Sequence, residues 1–360
     1  CRTGAAATVR RTRRRLPAPR PPRAGADASA RRGGPIDPAS AVATFIAEAQ
    51  LPAQGSFIKL WAPSDYVLVV SESENFYRQL SKSYRFIPVD FPNLDGQIAQ
   101  CRTQRPAPYA DSRTYMGTVH EAMREAYGSY VLLDVGGYLG RFSIEFALML
   151  GARSENGFAG RIYCFEPSPM KHILGLNLDI NGCRDVSIVE AAVTDADGTV
   201  DFRCNNQALI SSRVRKFPSA TSSSLVKARR ADSFLKERGL QGEAVVAKID
   251  VEGAEDLVLR GFGAGIDNLA CAIVEYWPET FARPFGPGQT LAEFTFRNYH
   301  VLYIRNSLYP LYPLRLTTST AELDAFLANT TNIDILMVRK NGAGAERLVE
   351  RLLALQPLAK

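Results

Sequence analysis

From Tyr130 onward, short apolar runs alternate with stretches of helical period, and this alternation limits the fold more than any other feature of the chain. "YVLLDV", "GRIYCFEP", "VSIVEAAVT", "EAVVAKIDV" and "LACAIVEYW" read as strands, with "TVDFRCN" as a further extended piece. Between them "GRFSIEFALMLG", "PMKHILGLNLDINGC", "AEDLVLRGFG" and "TLAEFTFRN" repeat apolar residues at helical spacing. Strands that alternate with helices pack as a mostly parallel sheet covered on both faces. The fold class is therefore α/β and Rossmann-like, a doubly wound mostly parallel sheet with an N-terminal extension. "YHVLYIR" and "IDILMVRK" close the series across a long polar stretch, and the last is expected to form an antiparallel edge strand.

In such a sheet, ligands lie outside the carboxyl ends of the strands, at the point where strand order reverses. Candidate residues therefore stand directly after apolar runs. Asp134–Gly140, Glu166, Asp250 and Glu275 all do. Four acids at four strand ends on one sheet edge form a more specific signal than any one of them. In "VLLDVGGYLGRF", Gly136, Gly137 and Gly140 crowd together after a strand, so the backbone there must approach something closely. The dinucleotide fingerprint G-x-G-x-x-G fails, because Val135 occupies its first glycine position. Asp134 would repel a diphosphate but suits a cofactor that carries positive charge and no phosphate. S-adenosylmethionine has a sulfonium and an ammonium group. Glu166 is placed to accept the ribose hydroxyls. No G-K-[ST] follows the glycines, which excludes a Walker loop.

"DVGGYLG" (134–140), "FEPSP" (165–169), "NLDIN" (177–181), "AAVTDADGTV" (191–200) and "KIDVEGAE" (248–255) follow one another with "VEYWPE" and the closing "IDILMVRK". In this order and spacing the chain resembles the FkbM-type S-adenosylmethionine-dependent methyltransferases, over about residues 115–340. The resemblance implies a class I methyltransferase domain that binds S-adenosylmethionine through Asp134, Gly136, Gly137, Gly140, Glu166 and Asp195. It also implies that the acids of "KIDVEGAE" face the active site. Where the family commonly has Ala-Asn, this chain has Gly137-Tyr138, and residues 153–160 look enlarged.

A hydroxyl that accepts a methyl group must shed a proton to a positioned base or a metal-bound site. Asp250 is the first choice for the base or acceptor-orienting group, with Glu252 and Glu275 beside it. Other readings are open at these positions. Asp250 suits an N-cap, and Glu255 suits the dipole of the helix it opens. Asp250, Glu252 and Glu275 together suit an oxygen-only divalent site, although no metal is assigned. The resemblance implies O-methylation, and the acceptor is expected to be a hydroxyl of a small molecule or a glycan. The alternatives are a non-catalytic protein that retains the fold and an NAD-binding oxidoreductase.

The rest of the chain frames this domain. The first 35 residues carry ten arginines against one acid, while the remainder holds 33 basic and 36 acidic side chains. The positive surplus therefore sits in the tail, and the body gives no reason to expect nucleic acid. The tail is rich in Ala, Pro and Gly and is expected to be disordered. Its composition is that of a chloroplast or mitochondrial transit peptide, or of a leader with no role in the fold, in which case a cytoplasmic site is expected. Residues 36–128 read as an accessory region containing a helix over Tyr115–Gly128, residues 129–342 as the catalytic domain, and 343–360 as a helical tail. Six cysteines without C-x-x-C spacing fit reduced thiols. Three scattered histidines argue against a His-rich metal site.

Overall fold

The apolar runs become the interior of an eight-stranded sheet, in a computed structural model that describes residues 36–49, 58–61, 66–71, 87–103, 113–152, 161–204, 214, 222–305, 314–328 and 333–355. The Arg-rich tail, the enlarged segment 153–160 and nearly all of the polar loop 205–221 lie outside the described residues. The chain opens with α1 (Pro38–Glu48), β1 (Ile58–Trp61), β2 (Leu68–Ser71) and β3 (Ile87–Pro88), then α2 (Leu94–Thr103) and α3 (Arg113–Tyr127). Next come β4 (Val131–Val135), α4 (Arg141–Ala152), β5 (Ile162–Phe165), α5 (Met170–Ile180), β6 (Val186–Val189), β7 (Ala192–Val193) and β8 (Gly198–Cys204). β9 (Ser222–Arg229), α6 (Ala231–Glu237), β10 (Val245–Ile249), α7 (Glu255–Gly261) and β11 (Leu269–Glu275) follow. The chain closes with α8 (Pro278–Phe281), α9 (Leu291–Asn298), β12 (Tyr299–Arg305), β13 (Arg315–Thr317), α10 (Thr320–Leu327), β14 (Ile333–Arg339) and α11 (Ala345–Leu353).

The large sheet has the order β13-β12-β14-β11-β10-β4-β5-β6. The strands from β11 to β6 are parallel, and the order reverses between β4 and β10. β14 runs antiparallel to β11 and to β12, so the final strand is inserted inside the sheet. The antiparallel edge is formed instead by β13, from within the polar stretch. Burial explains the placement of β14: five of its seven residues are buried, the near-continuous pattern of a strand covered on both faces. "VSIVEAAVT" does not form one strand. It breaks after Val189, and Ala192–Val193 instead joins β9 and β8 in a second, three-stranded sheet.

Alternation along the strands separates two cores. Leu132, Cys164, Val246 and Ile273 face one side with α4, α5 and the accessory elements, while Leu133, Ala247 and Val274 face the other. Asp134 and Lys248, paired in register across β4 and β10, fall on the first side. Among the described residues, no helix is long and apolar enough to cross a membrane.

The accessory region is joined to the sheet by polar contacts. The helix expected at Tyr115–Gly128 forms as α3, and Gly128 ends it with a φ of 75°. Lys171 and His172 of α5 both reach Glu48 of α1. The two asparagines of "NLDIN", one helical turn apart on α5, take up the backbone of the β2 segment. Val69 N–H donates to Asn177 Oδ1 (2.6 Å) and Asn177 Nδ2 donates to Val69 O (3.2 Å). Asn181 makes the same reciprocal pair with Val67, at 3.0 and 2.7 Å. Asn177 Nδ2 also donates to Leu139 O in the glycine loop (3.0 Å). Replacing Asn177 by Ala strands three buried backbone groups, and each costs about 1–3 kcal/mol. Urea denaturation should show Asn177→Ala losing roughly 2–4 kcal/mol of stability. The half-buried Asn181→Ala should lose less, about 1–2 kcal/mol.

Candidate active site

The glycine loop at the end of β4 is packed against the protein itself. Gly136 has a φ of 86°, and a Cβ there would lie 1.8 Å from the carbonyl oxygen of Asp250. A Cβ on Gly137 would lie 2.1 Å from Cys164 Sγ, and one on Gly140 would lie 2.4 Å from Leu174. The close approach expected from the glycine spacing is therefore made first to β5, α5 and the loop after β10. The amides of Gly136 and Gly137 both donate to Phe165 O, at 3.1 and 2.9 Å. Tyr138 adopts a left-handed φ of 50°, at a cost of about 1–2 kcal/mol for a bulky residue. Its N–H donates to Glu166 Oε2 at 2.7 Å, which anchors the strained turn. Asparagine tolerates this conformation better than tyrosine does.

Asp134 is 1% exposed, and its Oδ2 accepts from Ser143 Oγ (2.6 Å) and from Cys164 Sγ (3.6 Å). Its Oδ1 is buried without a hydrogen-bond partner. Burial raises its pKa, and Lys248 opposes the rise. Glu166 follows β5 and receives Ser168 N–H on Oε1 (2.8 Å) besides Tyr138 N–H on Oε2. Burial pushes its carboxyl up to about 7 against those donors.

The second half of the site follows β10 and β11. Lys248 Nζ donates to Asp250 Oδ2 at 2.6 Å. Burial would lower the pKa of Lys248, but Asp250, Asp134 and Asp334 outweigh it and keep the ammonium charged. Burial likewise opposes ionisation of Asp250, yet Lys248 holds its carboxyl below the usual range. Glu275 ends β11, 5% exposed, and is hydrogen-bonded to Asp250. Burial, then the charges of Asp250, Glu252 and Glu255, push it well above the carboxylate range, so Glu275 carries the proton of the pair. Trp277 Nε1 donates to Glu275 Oε2 at 2.8 Å. Asp250 is not an N-cap, because α7 begins after Ala254, which offers no side-chain cap.

Glu252 and Gly253 take consecutive left-handed conformations, with φ values of 58° and 93°. Glu255 explains how they are held. It is 0% exposed, and its Oε1 accepts from Gly253 N (3.0 Å) and from Val251 N (3.3 Å). Burial raises its pKa to about 7. Arg283 Nη1 closes the loop from α8 by donating to Gly253 O (2.8 Å) and to Asp256 (3.0 Å).

The structure thus brings Asp134, Asp250, Glu252 and Glu275 to one edge, with Glu166 joined to them through Tyr138. Asp195 is not brought there. It is exposed in the turn between β7 and β8, where its carbonyl accepts from Arg230 (2.8 Å). Sequence reading missed Asp334, which opposes Glu275 across β11 and β14 and is raised to about 6 by burial, against the pull of Lys248. A single acid inside the apolar run "IDILMV" was its signal. Tyr276 is a core residue, with its hydroxyl on Asp324 (2.7 Å) and its ring against Phe281.

A doubly wound sheet, a glycine loop without the dinucleotide fingerprint and carboxylates at the ends of adjacent strands define a Rossmann-like domain with an acidic switch point. Residues 134–301 match the family described as the methyltransferase FkbM domain. None of the curated proteins matches the chain. Among solved structures, a precorrin-6y C5,15-methyltransferase from Geobacter metallireducens is 13% identical, with a TM-score of 0.31 over 63% of this chain and 88% of that one. An uncharacterised protein from Burkholderia thailandensis is 11% identical, with a TM-score of 0.22 over 67% and 61%. Neither likeness is close enough to carry an argument.

Two measurements test this geometry. Gly137→Ala should cost about 1–3 kcal/mol through overpacking against Cys164, and Cys164→Ala should restore most of that loss in the double variant. Glu255 is protonated in the fold below about pH 7 but only below about 4.5 when unfolded. Its stabilising effect is therefore full below about 4.5 and disappears as pH rises through about 7. Glu255→Gln removes this dependence. Urea denaturation at pH 5 and pH 8 should show the variant gaining on the wild type at the higher pH, by on the order of 3 kcal/mol.

Proposed function

We propose that the protein transfers the methyl group of S-adenosylmethionine to a hydroxyl of a small molecule or glycan. The observation that supports this reading most is the buried, unpartnered Oδ1 of Asp134 beside the glycine loop. An acceptor that lacks a donor, on an edge already rich in carboxylates, suits a cationic group and disfavours a diphosphate. Each oxygen of Glu166 accepts one backbone N–H and keeps a lone pair for a ribose hydroxyl. When bound, the cofactor supplies an electrophilic methyl on a good leaving group.

The chain's own residues would then act on the acceptor. Asp250, held ionised by Lys248, can take the proton of the acceptor hydroxyl or orient it. Glu275 carries a proton and donates to Asp250, which fixes the direction of that carboxylate. Trp277 in turn locks Glu275. Holding acceptor and methyl in line contributes up to about 7–11 kcal/mol in well-oriented pairs. In this reading most of the rate enhancement comes from positioning.

Calorimetry should detect S-adenosylmethionine and S-adenosylhomocysteine but not NAD, and binding of NAD alone would reject the assignment. Asp134→Ala and Glu166→Ala should each weaken cofactor binding at least tenfold. Asp250→Ala should bind the cofactor as wild type does. It should also reduce incorporation of labelled methyl into a metabolite extract by about 10²-fold or more. Unchanged incorporation would remove Asp250 from the chemistry.

A further inference from the structure

We propose that Asp250, Glu252 and Glu275 form a binding site for a hard divalent cation, magnesium or manganese, at the carboxyl edge of the sheet. This departs from the metal-free expectation drawn from the sequence. Each of the three residues presents a carboxylate oxygen, and these oxygens all lie within 4.8 Å of one another. Donors around an ion at 2.0–2.1 Å stand at most about 4.2 Å apart, and around a larger ion at 2.4 Å about 4.8 Å apart. Neighbouring donors of an octahedral shell stand closer, at about 3 Å, so rotation of these side chains would draw the three oxygens onto one ion. Oxygen-only donors select magnesium, manganese or calcium over zinc or copper.

A second observation points to a ligand at this place. Glu255 is completely buried and its Oε2 has no hydrogen-bond partner, while its Oε1 is held by the amides on either side of Glu252. Glu255 stands close enough to Asp250 and Glu275 for their charges to act on one another. A buried carboxylate oxygen left without a donor costs free energy. Magnesium keeps several of its waters, and such a water is a strong donor to an oxygen just outside the coordination shell. Through such a water the cation would give Glu255 a donor, and it would offset the charges that Asp250, Glu252 and Glu275 carry once the Glu275 proton has left. Lys248 occupies Asp250 Oδ2, and the ion would take the place of the proton that Glu275 shares with Asp250, which binding would release. An acceptor hydroxyl that replaced one of the waters would be held by the ion and polarised.

The use of the ion in methyl transfer rests on the reading given above, whereas its binding does not. The test is titration of the full chain with manganese chloride, followed by calorimetry and by electron paramagnetic resonance of free manganese, with magnesium chloride as competitor. One saturable site is expected. Glu252→Gln and Glu275→Gln, confirmed folded by circular dichroism, should each weaken it at least tenfold, whereas Glu279→Gln at an exposed neighbour should not. No saturable binding to the folded wild type, or an affinity unmoved by both site variants, would overturn the inference. S-adenosylmethionine is titrated in parallel. Cofactor binding without manganese binding removes the cation site alone. Manganese binding without cofactor binding keeps the site and removes the cofactor reading.

Discussion

One part-buried ammonium determines what the acidic edge of this sheet can be. Lys248 is paired in register with Asp134 and hydrogen-bonded to Asp250, and its charge also reaches Asp334. Burying several carboxylates together is unfavourable unless each is paired, protonated or bound to a cation. The edge's own side chains supply the first two of these solutions. Lys248 keeps Asp250 ionised, while Glu275, Glu255 and Asp334 take up protons at a pH where free carboxyls would lose them. A single charged lysine among acids thus yields one carboxylate that stays basic and others that stay neutral. That separation of roles is what acid–base chemistry near neutral pH requires.

The two halves of the site are mechanically one unit. Asp250 N–H donates to Val135 O (3.0 Å), and the carbonyl of Asp250 fills the space where a side chain on Gly136 would be. A shift of the glycine loop therefore moves the start of the loop after β10. Both loops also hold a non-glycine residue in a left-handed conformation, Tyr138 in one and Glu252 in the other. Such strain persists only where the surroundings enforce it. Here the enforcing groups are two buried acids, Glu166 for the first and, through its hold on the amides beside Glu252, Glu255 for the second.

Much of this was legible in the sequence, because a parallel sheet places every residue that follows an apolar run on one edge. That geometry found Asp134, Glu166, Asp250 and Glu275 without any contact being known. It could not find Asp334, because β14 enters the sheet between strands that precede it in the chain, and only pairing reveals that Asp334 faces Glu275. Nor could it tell Asp195 from the other acids. A residue inside a family motif reads the same whether its side chain faces the site or, as here, solvent. The glycines were legible as a close approach but not as an approach to the chain's own backbone and to Cys164. Periodicity carries the direction of side chains within an element, whereas the partner across a sheet or under a loop depends on topology.

The supports of the site extend beyond the span that matches the family. Asn177 lies within it, yet it divides its amide group between Val69 of the accessory strand and Leu139 of the glycine loop. Tyr66 donates to the buried Glu145 (2.6 Å) on α4, the helix that begins directly after that loop. Asp334 arrives from β14, near the other end of the chain. The glycine loop is therefore held on one side by Phe165 and Glu166 and on another, through Asn177, by a strand contributed by the accessory region. Since buried polar groups must be partnered, removing that strand would leave Asn177 with unmet hydrogen bonds directly beside the turn that Tyr138 strains. The accessory region is, on these contacts, part of the scaffold that sets the shape of the switch point.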